Sequence, residues 1–148
     1  MQKFSVNFTI RKPLECWQGC FAHGSCYAVV TTREKGQLVK IYKTTDVEAI
    51  EVEPGRKRRL IHTDNLMVVV WDFAGGPWEN PDSPHAHPHE QVTYIVEGEV
   101  LFFLGEEMQR LSTGDMVAVP ANIPHYIQLV SSHVRLIDSF TPLRQEFL

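Results

Sequence analysis

The sequence predicts an all-β fold, a single small antiparallel β-barrel or jelly roll, and three observations carry that expectation. From Val39 onward, short apolar or alternating runs are separated by turns at Pro54-Gly55, Gly75-Gly76-Pro77, Glu97-Gly98-Glu99, Gly105-Glu106-Glu107 and Gly114-Asp115, the rhythm of sandwiches and barrels. No amphipathic helix of convincing length interrupts them. No internal repeat is present, and 148 residues suffice for one domain around one core.

Residues 1–38 read as an N-terminal extension and residues 39–148 as the barrel. In the extension, Phe4, Val6, Phe8 and Ile10 alternate with Ser5, Asn7 and Thr9, and Tyr27 to Thr32 reads as a second strand. These are either added strands on the barrel edge or a poorly ordered segment. Ile41-Tyr42 and Ala49 to Glu53 are short extended pieces, followed by the Pro54-Gly55 turn. The basic block Arg56-Lys57-Arg58-Arg59 then reads as a solvated hairpin edge that discourages further pairing, or else supplies an arginine to an anionic ligand. Leu66 to Phe73 is a strand buried over most of its length. The loop from Trp78 to Pro84 is stiffened by Pro81 and Pro84, with Pro88 just beyond, which lowers the entropy lost when side chains nearby are fixed. Gln91 to Glu97, Val100 to Leu104, Met108 to Leu111, Met116 to Val119 and His133 to Phe140 complete the strands.

Composition narrows the function classes. A formal net charge of -4 and a pI near 5.9 argue against nucleic acid as a partner. No apolar run reaches the roughly 18 residues of a membrane span, and the first residues do not resemble a signal peptide. The expected location is the cytoplasm, which suits the odd count of cysteines, Cys16, Cys20 and Cys26. Those three, with His23, could recruit a metal only weakly, since no further ligand of matching spacing is present.

The chemistry concentrates between Ser83 and Gly98. His85, His87 and His89 recur at every second position and Gln91 continues the series. On a strand, His85, His87, Gln91, Thr93 and Ile95 would share one face, and Ile95 marks it as the buried one. Several imidazoles facing a core need partners, and a metal ion supplies them. A metal-free polar loop of Pro and His is the alternative. A second stretch, Gly114 to His125, brings His125 to the same cavity through a short strand ended by Pro120. In the last strand Val134, Leu136, Asp138 and Phe140 share a face, so Asp138 points inward and must be paired or must act. Arg144 keeps that parity if the chain stays extended, and meets either Asp138, as a structural pair closing the barrel end, or an anionic substrate.

His85-Ala86-His87, Gln91 and Gly98, with Gly114, Pro120 and His125, resemble the paired motifs of the cupin superfamily. Two positions depart from it. Gln91 stands where the family has Glu, and Asn122 replaces a common Gly, a mild change because Asn tolerates left-handed backbone. The string from His85 to Glu99, together with the Asp138-Ser-Phe140-Thr-Pro-Leu-Arg144 ending, is similar to the KdgF-type pectin-degradation cupins.

That resemblance implies metal-dependent opening of unsaturated monouronates, the products of pectate and alginate lyases, to linear keto acids. His85, His87, Gln91 and His125 would hold one divalent metal. Asp138 and Arg144 would be catalytic, with Phe140 and Arg144 binding a small anionic sugar acid. His89 would stand just behind the ligands, and Trp71, Phe73, Tyr94, Phe102 and Phe140 would supply aromatic walls. Four neutral donors leave the full charge on the ion and suit Lewis-acid work, with zinc and nickel expected ahead of manganese and iron. His62 and His133 are expected to be ordinary solvated residues. A homodimer is expected, as in cupin relatives. The alternatives are a metal-dependent dioxygenase or isomerase on the same barrel, or a sugar-binding cupin without turnover.

Overall fold

The computed structural model describes residues 31–34 and 37–148. The alternating run from Phe4 to Ile10, the three cysteines with His23, and most of the expected strand from Tyr27 to Thr32 lie outside the described residues. No α-helix occurs among the described residues, and none is long and apolar enough to cross a membrane.

Among the described residues, eleven strands form three antiparallel sheets. β1 (Thr31–Glu34) and β2 (Gln37–Lys40) make a hairpin. β2 thus runs through position 38, and Ile41-Tyr42 fall after it, before the 3-10 turn Thr44–Asp46. The remaining strands are β3 (Ile50–Glu53), β4 (Arg56–His62), β5 (Met67–Ala74), β6 (Glu90–Glu97), β7 (Glu99–Leu104), β8 (Glu107–Ser112), β9 (Met116–Val119), β10 (His125–Leu129) and β11 (His133–Thr141). The larger sheet runs β3-β4-β5-β11-β6-β9 and the smaller β10-β7-β8.

The core lies between these two sheets, and side-chain parity explains it. On β11, Val134, Leu136, Asp138 and Phe140 are buried while their neighbours are not; on β6 the buried set is Gln91, Thr93 and Ile95. Both follow the two-residue period of a strand. Phe73, Ile95, Val100, Phe102, Leu129, Val134 and Leu136 form the main cluster, and Met67, Val69 and Phe140 a second one beside it. Gly98 turns β6 into β7 at φ 85, where a Cβ would collide with the His133 carbonyl.

The basic block is not a solvated edge. β4 is paired on both sides, to β3 and to β5, with Arg58 opposite Trp71 and Arg56 opposite Phe73. Arg56 and Arg58 therefore face inward. Their guanidinium planes find aromatic faces, 5.3 Å from Phe73 and 5.4 Å from Trp78 for Arg56, and 4.2 Å from Phe147 for Arg58. Arginine can line an interior wall in this way because its flat, weakly hydrated head stacks on rings.

Candidate active site

The imidazoles are positioned mainly by loops that backbone hydrogen bonds lock to β10. β6 begins only at Glu90, so His85 and His87 precede it rather than belonging to it. The proline-rich segment runs along β10 instead: Trp78 N–H donates to Leu129 O (3.0 Å), Asp82 N–H to Ile127 O (2.9 Å) and His85 N–H to His125 O (3.2 Å). His125 returns a bond to His85 O at 2.9 Å, so the two residues form an isolated bridge. Asn122, at φ 65, donates its N–H to His87 O at 2.8 Å. The left-handed position expected of this Asn is thus the one that ties the two halves of the site together.

His85, His87 and His125 can hold a metal ion, with one ring nitrogen from each within 4.8 Å of the others. The hydrogen bonds show why a cation suits them. His87 Nδ1 lies 3.1 Å from His89 O and His125 Nδ1 lies 2.8 Å from Ile123 O. A carbonyl there accepts, so each Nδ1 carries the proton and each Nε2 presents a lone pair. Both Nε2 atoms face Gln91 Oε1, at 3.0 and 3.2 Å. Three acceptors converging on one point repel one another unless a positive ion stands among them. Burial lowers the pKa of all three imidazoles, so protons are poor candidates for that charge and a metal fits the donor set.

Gln91 is oriented from behind. Its Nε2 donates to Thr93 Oγ1 (2.8 Å) and Asp138 Oδ1 (3.1 Å), which turns Oε1 toward the histidines. Thr93 Oγ1 also donates to Asp138 Oδ1 at 2.5 Å. Burial pushes the Asp138 carboxyl up to about 6, with the Thr93 and Gln91 hydrogen bonds acting in the opposite direction. A carboxyl near that value exchanges a proton readily at neutral pH.

A cavity of about 340 Å³ opens beside these groups, lined by His85, His125, Gln91, Asp138, Phe140 and Arg144, among others. Phe140 is buried and meets His87 edge-on at 5.6 Å. The chain does not stay extended past Thr141, yet the 3-10 turn Gln145–Phe147 still brings Arg144 to the cavity. Its Nε donates to Glu146 Oε1 at 2.8 Å and its guanidinium packs 4.2 Å from the Phe147 ring. Among the described residues Arg144 forms its ion pair with Glu146 and not with Asp138, so the expected Asp138–Arg144 pair does not form.

Trp71, Phe73, Phe102 and Phe140 line the cavity as expected, but Tyr94 does not. It lies between Thr93 and Ile95 on β6, and the parity that buries those two exposes Tyr94. His89 is buried outside the triad, with its Nδ1 unpartnered. Sequence reasoning reached Arg56 only through the second of two readings of the basic block, and missed Asp82 and Phe147 as lining residues. The inward parity of Arg56, Arg58 and Leu60 was a usable signal for the first; nothing local marks the other two.

Comparison with known proteins agrees with this geometry. The Cupin domain family matches residues 69–140. The pectin degradation protein KdgF of Dickeya dadantii is 34% identical over 100 residues, covering 66% of this chain and 88% of that protein. The structure of KdgF from Halomonas sp. superposes with a TM-score of 0.66 at 32% identity, over 72% of this chain and 96% of that one. An RmlC-like cupin from Shewanella frigidimarina gives a TM-score of 0.66 at 30% identity, over 72% and 94% of the two chains. With the facing sheets, the three converging imidazoles and these relatives in agreement, the chain belongs to the KdgF-like small cupins.

Proposed function

We propose that this protein is a metal-dependent enzyme that opens unsaturated monouronates, the products of pectate and alginate lyases, to linear keto acids. The observation that carries the reading is the placing of Gln91, whose Oε1 stands 3.0 and 3.2 Å from His87 and His125 Nε2 while its Nε2 donates to the buried Asp138. It puts a proton-exchanging group one amide away from the donors of a Lewis acid. His85, His87, Gln91 and His125 would hold a divalent ion, zinc or nickel ahead of manganese or iron, which supplies Lewis acidity toward a substrate oxygen.

The closed substrate is a hemiacetal whose ring oxygen belongs to an enol ether. Opening it breaks the bond between C1 and the ring oxygen, forms the C1 aldehyde, and needs one proton moved from the anomeric hydroxyl to C4 as C5 becomes a ketone. Asp138 takes that proton at its carboxylate and returns it to C4; a pKa near 6 serves both directions. Arg144 grips the sugar carboxylate with the terminal nitrogens of its guanidinium while Glu146 holds its Nε. Phe140 and Trp71 pack the ring and exclude water from the moving proton. The same reading takes the protein to be a cytoplasmic homodimer.

Metal-analysed protein incubated with unsaturated galacturonate, followed by loss of the conjugated enol absorbance, tests this directly. Decay faster than the spontaneous rate, and its loss on chelation, are expected. Decay at the spontaneous rate with the metal loaded refutes the proposal.

A further inference from the structure

Arg56 and Asp82 stand in the same cavity as Gln91, Asp138 and Arg144, and the chemistry above does not use them. Arg56 Nη2 donates to both oxygens of Asp82, at 2.9 and 2.8 Å, and the guanidinium is wedged between Phe73 and Trp78. Asp82 is fixed in turn through its backbone bond to Ile127. The two side chains remain 21% and 33% exposed, and such a partly solvated pair adds little stability. What it offers is a rigid array with spare capacity. The carboxylate has about four acceptor sites and two are used, while the guanidinium keeps further N–H groups.

Register places this array at the far end of the cavity from the proton-moving group. Asp138 lies opposite Val69 on β5, and Arg56 lies opposite Phe73, four residues further along that strand, a separation of about 13 Å. The two ends differ in character. Arg144 is held by Glu146 only at Nε and keeps its terminal nitrogens uncommitted among the described hydrogen bonds, whereas Arg56 already commits a terminal nitrogen to both oxygens of Asp82. A second anion at the Arg56 end would meet the negative Asp82. Hydroxyl groups suit it, since each can donate to the carboxylate and accept from the guanidinium.

We infer that Arg56 and Asp82 form a subsite for the uncharged, hydroxyl-bearing end of the sugar acid, and so determine which end of the substrate is presented to Arg144 and the imidazoles. This rests on the monouronate reading. The pair acts on specificity and does not touch the reacting bonds.

The test uses metal-loaded Asp82→Asn and Arg56→Gln, with metal content and melting temperature measured beside the kinetics. In each variant KM for unsaturated galacturonate is expected to rise about tenfold with kcat within about twofold, the pattern of lost uniform binding. Unchanged KM overturns the subsite. A fall in metal content or melting temperature with KM unchanged also overturns it, because the pair is then only a clamp on the loop carrying His85. Should the wild type not turn over the unsaturated sugar, the functional reading fails by itself. Calorimetric titration with saturated galacturonate then decides the subsite: about tenfold weaker binding in both variants supports it, and equal binding, or no binding to the wild type, overturns it.

Discussion

Replacing Asp138 by Asn removes a buried charge without changing the side chain's shape, and the consequence for stability can be worked from its surroundings. The carboxyl sits at about 6 in the folded protein against an ordinary value of 3.8, and burial is the chief cause. A difference of about 2 pH units corresponds to about 3 kcal/mol disfavouring the ionised form in the folded chain. Below about pH 4 the group is neutral in folded and unfolded chains alike, and the cost is absent. As pH rises the unfolded chain ionises first, stability falls, and the loss is complete once pH has passed through the folded value near 6. Asn stays neutral throughout, and its Oδ1 can keep the bonds from Thr93 and Gln91. Asp138→Asn is therefore expected to melt higher than the wild type at pH 7.5, by up to about 10 °C for a chain of this size, with the gap closing toward pH 4. The melts are run with chelator present, since a divalent cation nearby favours the ionised carboxyl. A gap of the same size at both pH values, or a wild type more stable at both, refutes the account of Asp138 as a charge held at a cost. Turnover by the same variant is expected to be lost, which separates the group's chemical role from its effect on folding.

Gln91→Glu adds charge to the donor set and is expected to tighten divalent metal at least about tenfold in chelator competition, while turnover falls because two carboxyl groups then share the Asp138 pocket. Arg144→Lys replaces a fork by a point charge; KM for the sugar acid should rise about tenfold, read by steady-state kinetics. Asn122→Ala should cost about 1 kcal/mol in urea denaturation because of its left-handed backbone, and Asn122→Gly should stay within about 0.5 kcal/mol of the wild type.

Where a side chain's direction depends on its own strand, the sequence was a reliable guide. Asp138 and Phe140 point inward on β11, and Gln91 and Thr93 on β6, as alternation requires. His85 and His87 reached the predicted centre by another route, since they lie on a loop bridged to β10 and not on β6. Spacing encodes a strand's faces, but it does not encode hydrogen bonds formed with a segment some forty residues away. The basic block misled because guanidinium groups usually seek water; here Trp71, Phe73, Trp78 and Phe147 give two of them an aromatic surface instead. Asp82 became a cavity residue through a partner 26 positions earlier. Such pairings belong to the tertiary fold and leave no local trace.

The order of strands in the larger sheet bears on how the chain is made. β11 leaves the ribosome after the other described strands, yet it occupies a middle place, bonded to β5 on one side and β6 on the other. Until it arrives, Val68, Val69, Val70 and Val92 lie on strands whose facing edges are open, and open apolar edges recruit other chains. A nascent or truncated polypeptide ending before His133 is thus an aggregation hazard, and the strand that brings Asp138 to the cavity is also the one that seals the sheet.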